Sequence, residues 1–320
     1  MRILILGGTV FLGRHVTDAA LARGHEPTLY TRGLHGAGLF PEVEHVRGDR
    51  ADLTPLRGRS WDAVIDTSCY RAAHAEAAGQ LDVGHYVFVS TGNAYPTWPD
   101  EPVDEGTPTW TTVDDGYGPQ KAAGERALQA AMPGRVACVR AGLLVGPHDN
   151  VFRLPWWVRR VAAGGPLPAP GDPGRSLQLI DARDLAGWMV ELAERRTAGA
   201  FNGTAPIGQT TFGEVLDLAI AATGSDARPR WIDEPALAGA GVEPWAELPL
   251  WMPESAAGTW RMGTARAQAA GLRCRPLAET IADVAAWLRD GGERELGDWR
   301  AEHRPAPLSA AREAQLLALA

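Results

Sequence analysis

The stretch ILILGGTVFLG, residues 3–13, decides the fold of this chain. It begins with four apolar residues in a row, a pattern typical of a strand that is covered on both faces of a parallel sheet. A glycine-rich turn follows at once, and a helical pattern begins near Leu12. A strand, a glycine loop and a helix in this order form a cradle for a pyrophosphate, because backbone N–H groups and the positive end of the helix meet the anion there.

The same alternation of strand and helix continues through the first half of the chain. Short apolar runs predict further strands at residues 27–30, 44–46, 63–65, 86–89 and 136–139, and helical patterns cover residues 12–23, 72–81 and 117–132. Strands that alternate with helices indicate βαβ units. We therefore predict an α/β fold with a Rossmann-type doubly wound parallel sheet.

The alternation of strand and helix is interrupted after Gly146. Residues 164–174 form a loop rich in Pro and Gly, while a strand near residues 177–180 and a helix near residues 182–194 predict a return to the main domain. We predict a dinucleotide-binding domain at residues 1–145, with residues 176–210 returning to it. A smaller, mostly helical substrate-binding lobe is predicted at residues 146–175 and 211–320, with a loop at residues 235–257 and a final helix at residues 308–319.

Composition and charge narrow the functional classes. The 320 residues carry a formal net charge of −8, which argues against nucleic acid or an anionic membrane as a partner. No apolar run reaches the roughly 18 residues of a membrane span. The three cysteines are scattered and the eight histidines show no metal-ligand spacing. These features predict a cytoplasmic protein that acts on a small molecule and holds no metal.

The glycine loop and the end of the second strand predict the cofactor contacts. The predicted loop contacts are Gly7, Thr9, Val10, Phe11, Leu12 and Gly13. Val10 stands where glycine is usual at this spacing, and its side chain limits how closely the backbone can approach a phosphate. The second strand ends in Thr31 and Arg32, without the acid that selects NAD by bonding the ribose 2′-OH. Arg32 could pair with a 2′-phosphate, or be a solvated arginine in a turn, and we predict NADP(H), with NAD(H) as the alternative.

One residue stands out in the composition. Of 31 Lys and Arg residues only Lys121 is a lysine, and it follows Tyr117 by four positions. On a helix this spacing puts both side chains on one face, where an ammonium favours the phenolate and lowers the tyrosine pKa from about 10. On the spacing alone, the alternative is a chance lysine on a solvated helix face.

The glycine loop and Tyr117-x-x-x-Lys121 together resemble the extended short-chain dehydrogenase/reductase superfamily, of the kind labelled NAD-dependent epimerase/dehydratase. The resemblance covers nearly the whole chain. Further matches follow in family order: Thr91, four residues before the aromatic Tyr95, the adenine-side motif at residues 48–50, the nicotinamide-flanking segment at residues 140–147 and the strand-to-helix signature at residues 178–186.

The resemblance implies an NAD(P)-dependent oxidoreductase and a role for each matching residue. Tyr117 would exchange a proton with the substrate oxygen, and Lys121 would hold the nicotinamide ribose and depress the pKa of Tyr117. Thr91 would bond the same substrate oxygen, with Ser90 as the alternative hydroxyl. Further implied cofactor contacts are Asp49, Arg50, Thr67 and Leu143. The resemblance also implies a homodimer through helices that include residues 117–132.

Residues that follow Thr91 and Arg140 in the sequence narrow the choice among the reactions of this family. Gly92 and Asn93 follow Thr91, where dehydratases of this family carry an acidic pair, and Leu143 stands where sugar-nucleotide enzymes often carry Asn. We therefore predict an NADPH-leaning reductase of a small-molecule carbonyl. The alternatives are a sugar-nucleotide epimerase with tightly bound NAD, and a non-enzymatic NAD(P)-binding sensor or RNA-binding relative.

Candidate substrate contacts are Asn93, Arg140, Arg175 and Trp156. Arg175 would meet an anionic substrate group, with a surface arginine as the alternative. Trp156 would line an apolar or aromatic pocket, with packing of the second lobe as the alternative. Asp181 and Asp184 are expected to cap and begin a helix.

Overall fold

The computed structural model of the chain describes residues 1–297, 301–306 and 308–320. Positions 298–300 and 307 of the predicted lobe lie outside the described residues. The chain divides into two compact units. The first unit consists of Met1–Leu144, Ala182–Ala205 and Met262–Cys274, and the second of Val145–Asp181, Pro206–Arg261 and Arg275–Ala320.

Strands and helices alternate along much of the chain. The strands are β1 (Arg2–Leu6), β2 (Glu26–Thr31), β3 (Glu44–Arg47), β4 (Ser60–Asp66), β5 (Asp82–Thr91), β6 (Val136–Ala141), β7 (Leu143–Val145), β8 (Pro166–Pro170), β9 (Ser176–Leu177), β10 (Leu179–Asp181), β11 (Gly199–Gly203), β12 (Thr210–Thr211) and β13 (Arg228–Ile232). The α-helices are α1 (Leu12–Ala22), α2 (Ala72–Ala78), α3 (Tyr117–Ala131), α4 (Arg153–Ala162), α5 (Ala182–Arg195), α6 (Phe212–Thr223), α7 (Glu234–Gly239), α8 (Ala265–Ala269), α9 (Leu277–Arg289) and α10 (Ala310–Leu317).

The first unit is built on a parallel sheet, which has seven strands within the described residues, in the order β11-β6-β5-β4-β1-β2-β3. The chain begins in the middle of this sheet and winds outward in both directions, so the strand order reverses between β1 and β4. Ligands of such sheets bind where the order reverses, at the carboxyl ends of the strands. The apolar run at residues 3–6 is fully buried there. The predicted fold class, a Rossmann-type parallel sheet followed by a helical C-terminal portion, is confirmed.

The strand predicted to return to the main domain near residues 177–180 lies elsewhere in the structure. The strand expected at residues 177–180 splits into β9 and β10, which belong to the second unit, and the edge strand is β11 instead. The sequence of β11, Gly-Ala-Phe-Asn-Gly, has two glycines and no β-branched residue, so its composition predicts a loop. Its parallel pairing with β6, in which Asn202 lies opposite Arg140, makes it a strand.

Two segments also depart from the predicted organisation. Met262–Cys274, assigned by sequence to the lobe, belongs to the first unit, where the Trp188 indole N–H donates to the Ala270 carbonyl (3.2 Å). Helix α7 overlaps the start of the segment predicted as a loop at residues 235–257. It begins because the Asp233 side chain accepts a hydrogen bond from the Ala236 N–H (2.8 Å), an N-cap interaction.

The second unit packs its own aromatic core. Helices α4, α6 and α9 contact one another, and Trp157 of α4 is fully buried with its ring edge-on to Phe212 (centroids 5.2 Å apart). Trp156 is also buried, and its indole N–H donates to the Ala306 carbonyl (3.0 Å). This packing is the alternative that the sequence left open for Trp156, so the structure gives no support for a substrate contact. Among the described residues, no helix is long and apolar enough to cross a membrane.

Candidate active site

The glycine loop forms a tight cradle at the end of β1. Gly7 and Gly8 have φ angles of 111° and 104°, in a region that favours glycine. A Cβ on Gly7 would lie 2.4 Å from the Thr67 hydroxyl oxygen, and a Cβ on Gly13 would lie 2.7 Å from the Gly8 nitrogen. Glycine is therefore required at both positions, because neighbouring atoms lie too close to leave room for a side chain. Predicted contacts Gly7, Gly13 and Thr67 come together in one small space.

The loop accommodates Val10 without left-handed backbone. The positive φ falls on Phe11 (37°) and not on Val10, so a β-branched residue at position 10 meets no conformational penalty. The N–H of Gly13 donates to the Val10 carbonyl (3.0 Å), which closes the turn into α1. Helix α1 has neither a side-chain cap nor an acid in its first turn. Its N-terminal N–H groups thus suit an anion, and the cradle fits the pyrophosphate of a dinucleotide.

The end of β2 presents basic side chains and no carboxylate. The Thr31 hydroxyl accepts a hydrogen bond from the Gly33 N–H (3.2 Å), and Arg32 is exposed. Arg47, at the end of β3, lies opposite Thr31 in the sheet register. Its Nε is 3.1 Å from the position that a Cβ on Gly33 would occupy, so this guanidinium lies against the loop after β2. Sequence reasoning missed Arg47, because only the pairing of β2 with β3 places it beside Arg32.

The adenine-side motif contains a buried ion pair. Arg50 donates to the carboxylate of Asp66 at the end of β4 (2.6 Å), and the Tyr86 hydroxyl donates to the same oxygen (2.6 Å). Asp66 is fully buried, and Arg50 holds its pKa below the ordinary value despite the opposing effect of burial. Two further nitrogens of Arg50, Nε and Nη1, are buried without a partner among the described residues. Arg50 thus fixes the loop that presents the exposed Asp49.

The two candidate hydroxyls at the end of β5 have different partners. The Ser90 hydroxyl donates to the buried carboxylate of Glu125 (2.5 Å), so its proton is engaged inside the protein. The Thr91 oxygen instead accepts from the Asn93 N–H (3.2 Å) at the start of the 3₁₀ turn Gly92–Ala94. An acceptor bond leaves the Thr91 proton to donate to a ligand. The geometry favours Thr91 over Ser90 as the substrate-facing hydroxyl.

Tyr117 begins helix α3 beside this turn. A Cβ on Gly118 would lie 2.0 Å from the Asn93 carbonyl oxygen, so the helix approaches the turn as closely as a glycine permits. The same carbonyl accepts a hydrogen bond from the Trp110 indole N–H (3.1 Å). Tyr117 is 43% exposed, which leaves its ring accessible to a substrate. The predicted residues Thr91, Asn93 and Tyr117 therefore lie on adjoining pieces of chain.

Lys121 lies one turn further along α3 and is buried. Its ammonium donates to the Val89 carbonyl (2.6 Å), two residues before Thr91. Burial lowers the pKa of Lys121, and nearby Cys69, Tyr70, Asp66 and Glu125 oppose that shift. A lysine in this position is buried, whereas the alternative left open by the spacing expected it on a solvated helix face.

Glu125 continues the same face of α3 and anchors an internal network. It receives hydrogen bonds from both Nε and Nη2 of Arg140 (3.1 and 2.8 Å). The remaining Arg140 nitrogen, Nη1, donates to the Tyr95 hydroxyl (3.0 Å), which donates in turn to the Asn202 side chain (2.7 Å). The guanidinium of Arg140 is thus fully used in the interior, and the geometry gives no support for its predicted contact with substrate.

The structure also places the other residues that the sequence singled out. Arg175 forms ion pairs with Glu234 (2.5 Å) and Glu254 (2.6 Å), so its charge is already neutralised and a role in binding an anion is not supported. Asp181 is buried and accepts a hydrogen bond from the Thr280 hydroxyl (2.8 Å). Asp184 lies in the first turn of α5, as expected of a helix-starting acid. Leu143 is half-buried in β7.

Thiol chemistry is not supported at Cys69 or Cys138. Cys69 and Cys138 are buried, and burial raises the pKa of Cys69 to about 12. The thiolate is the reactive form, so these side chains are inert at neutral pH. Among the described residues, no group of three His, Cys, Asp or Glu side chains could hold a metal ion.

Comparison with known proteins agrees with this geometry. The profile of the NAD dependent epimerase/dehydratase family matches residues 70–208. The epimerase family protein SDR39U1 of Bos taurus is 30% identical over 262 residues, which cover 73% of this chain and 84% of the relative. This protein therefore belongs to the NAD-dependent epimerase/dehydratase family, within the extended short-chain dehydrogenases/reductases.

A second relative and a solved structure complete the comparison. Chloroplast stem-loop binding protein of 41 kDa b from Arabidopsis thaliana is 27% identical over 211 residues, 58% of this chain, and the match spans about half (53%) of that relative. The enzyme WbmH of Bordetella bronchiseptica, solved in complex with NAD+, superposes with a TM-score of 0.70 at 19% identity. That match covers 91% of this chain and 99% of WbmH, and it establishes the shared fold.

Proposed function

We propose that this protein is an NADPH-leaning reductase of a small-molecule carbonyl that acts through Thr91, Tyr117 and Lys121. The observation that carries the proposal is the buried ammonium of Lys121, bonded to the Val89 carbonyl (2.6 Å), two residues before Thr91. A family member that had lost turnover would have no need to keep a desolvated, unpaired cation beside an exposed phenol, since burying a charge is costly.

The proposed chemistry assigns one task to each side chain. Tyr117 donates its phenolic proton to the carbonyl oxygen as the oxygen becomes an alkoxide, and Thr91 donates a hydrogen bond to the same oxygen. Lys121 keeps a positive charge nearby, which stabilises the tyrosinate left behind. The bound nicotinamide cofactor supplies the hydride. The glycine cradle at residues 7–13 orients that cofactor by its pyrophosphate.

The preference for NADPH is supported by the end of β2. Arg32 begins the loop after β2 and Arg47 lies against it, where the ribose 2′ position of a bound cofactor would fall, and neither is paired with a carboxylate within the described residues. A guanidinium pair suits a 2′-phosphate, whereas NAD-selecting sites carry an acid here.

The preference for a carbonyl that carries no phosphate is supported by the segment before Tyr117. Residues 100–115 contain six Asp and Glu residues and no Lys or Arg. Most of these acids are exposed, so the local field repels a sugar nucleotide, whose diphosphate is doubly charged. The stem-loop binding suggested by the name of the Arabidopsis relative is disfavoured for the same reason, together with the net charge of −8.

The reaction is tested with purified protein, NADPH and a panel of aldehydes, ketones and imines, by the loss of reduced-cofactor absorbance. We expect Tyr117→Phe to reduce turnover about 100-fold or more. Thr91→Val should lower turnover as well, whereas Ser90→Ala, matched in size and position, should mainly lower stability. Co-purified NAD with interconversion of UDP-sugars would replace the proposal with the epimerase, and cofactor binding without turnover would replace it with a sensor.

Cofactor choice is tested separately by titration with NADPH and NADH. The double variant Arg32→Ala/Arg47→Ala should bind NADPH at least tenfold more weakly and NADH about as well as the unmodified protein, because only the 2′-phosphate loses its partners. Arg57→Ala, an exposed arginine on the loop after β3, is the control. A clear preference of the unmodified protein for NADH would end this part of the proposal. The homodimer and the cytoplasmic location stay predictions.

A further inference from the structure

The ammonium of Lys121 is buried without a counter-ion. Its one hydrogen bond goes to the neutral Val89 carbonyl, and it forms no ion pair within the described residues. The two carboxylates that act on its charge are already neutralised, since Asp66 pairs with Arg50 (2.6 Å) and Glu125 pairs with Arg140 (2.8 Å). Some other interaction must therefore stabilise the charged form of this buried side chain.

Aromatic rings surround the ammonium instead. The Lys121 Nζ lies 5.0 Å from the ring centroid of Phe88, 5.4 Å from that of Tyr70 and 5.7 Å from that of Tyr117. All three distances fall within the roughly 6 Å at which a cation is attracted to the face of a ring, and this attraction is strongest where water is excluded. The rings of Tyr70 and Tyr117 also adjoin one another, with centroids 6.3 Å apart.

The three rings come from separate parts of the first unit. Phe88 lies in β5 and is fully buried, and Tyr117 opens α3. Tyr70 lies in the segment between β4 and α2, four residues after Asp66, and is half-buried. Tyr70 is the ring that neither the sequence pattern nor the proposed chemistry uses.

We propose that Tyr70 is a positioning residue of the active site, whose ring completes an aromatic cage around Lys121 and takes the place of a counter-ion. The cage keeps the side chain charged and pointed at the strand end that carries Thr91. A neutral cage serves this purpose better than a carboxylate would, because a paired carboxylate would cancel the charge that Tyr117 needs. The consequence for turnover rests on the proposed function, whereas the consequence for Lys121 itself does not.

Other titratable groups face Lys121 and set the background for a measurement of its protonation. They are Asp66 at the end of β4, Cys69 and Tyr70 after it, and Tyr117 and Glu125 on α3. Removal of the Tyr70 ring leaves the rest of this set in place. It should therefore shift the Lys121 titration to lower pH, since the charged form loses one source of stabilisation.

The chain offers a direct readout, because Lys121 is its only lysine. Protein labelled with ¹³Cε-lysine, carrying a tag without lysine, should give one lysine signal whose shift titrates with Lys121. We expect Tyr70→Leu to lower the midpoint by about one pH unit, a tenfold change in the protonation constant. Tyr70→Phe keeps the ring and should titrate within a few tenths of a unit of the unmodified protein. Thermal melts of both variants check that each is folded.

Two results would overturn the cage. Tyr70→Leu could titrate like the unmodified protein or above it, which would mean that the ring does not stabilise the charge. Tyr70→Phe could shift as far as Tyr70→Leu, which would assign the effect to the hydroxyl group. In the reductase assay, turnover should fall at high pH as Lys121 loses its charge. The midpoint of that fall should shift in each Tyr70 variant by as much as the midpoint of the Lys121 titration. If no substrate is turned over by any form, the proposed function fails while the lysine titration still decides the cage.

Discussion

At the scale of the residue, the structure explains why this arginine-rich chain keeps one lysine. The Lys121 Nζ fits between the Val89 carbonyl and three ring faces, a space suited to a compact point charge. A guanidinium is planar and broad, and its five N–H groups would need several acceptors in a place that offers one carbonyl.

Replacement of this lysine tests that explanation. Lys121→Arg keeps the charge, yet we expect turnover to fall about 100-fold, because the guanidinium cannot occupy the cage and is displaced from Tyr117. The measurement is kcat with NADPH and the best carbonyl of the panel. Arg57→Lys, an exposed exchange in the opposite direction, should leave kcat unchanged. Near-normal turnover of Lys121→Arg would mean that charge alone suffices.

Neighbouring residues also mark a limit of sequence reasoning. Ser90 and Thr91 both carry a hydroxyl and end the same strand, so the sequence leaves the choice between them open. Successive side chains of a strand point to opposite faces. The bond from Ser90 to Glu125 (2.5 Å) identifies the inward-facing hydroxyl, and only the packing of α3 on β5 reveals it.

At the scale of the element, helix α3 ties the candidate site to the sheet by one face. Tyr117, Lys121 and Glu125 recur every four residues, so they lie along one side of the helix. Lys121 bonds Val89 and Glu125 bonds Ser90, two consecutive residues that lead to Thr91. The helix therefore fixes both the phenol and the strand end that carries the hydroxyl.

The buried pair at the far end of this face should matter for stability. Glu125→Gln leaves Arg140 charged and unpaired in the interior, and we expect a loss of about 3 kcal/mol in the free energy of unfolding, measured by urea denaturation. Asp115→Asn breaks an exposed pair with Arg71, and its effect should stay below about 1 kcal/mol. Equal effects of the two substitutions would mean that the internal network contributes little.

At the scale of the whole molecule, the strand order of the first unit assembles the site. Because β1, β4 and β5 are neighbours in a parallel sheet, the residues at their carboxyl ends, Gly7, Asp66 and Thr91, lie at the same edge. The order is that of the doubly wound parallel sheet that the sequence predicted. Strand β11 was missed, since its pairing and not its composition makes it a strand.

The sheet also makes the fold sensitive to acid. Burial lowers the pKa of His85 in β5 to about 4, whereas an unfolded histidine titrates near 6.5. Between these values the unfolded chain binds the additional proton, so stability is full above pH ~6.5 and decreases as the pH falls toward about 4, by at most ~1.4 kcal/mol per pH unit.

The matched variant is His85→Gln, which does not titrate. Urea denaturation at a series of pH values should give a shallower loss of the free energy of unfolding for this variant than for the unmodified protein between pH ~6.5 and ~4. Parallel curves for the two proteins would show that His85 is not the group responsible.

The sequence by itself determined the features that depend on local pattern. Local pattern predicted the class of fold, through the apolar run and glycines at residues 3–13 and the alternation of strand and helix. The glycine loop and the spacing of Tyr117 and Lys121 predicted the family. These signals survive without knowledge of any partner strand, because backbone sterics and burial on both faces act within a few residues.

Tertiary structure alone decided which partner each side chain has. Arg140 and Arg175 look like ligand-binding arginines in the sequence, but Glu125 and Glu234 neutralise them in the folded chain. Arg47 and Tyr70 carry no motif and reach the candidate site only through strand register and loop packing. The physical reason is that charge pairing and ring contacts depend on distances between residues far apart in sequence, which no local period encodes.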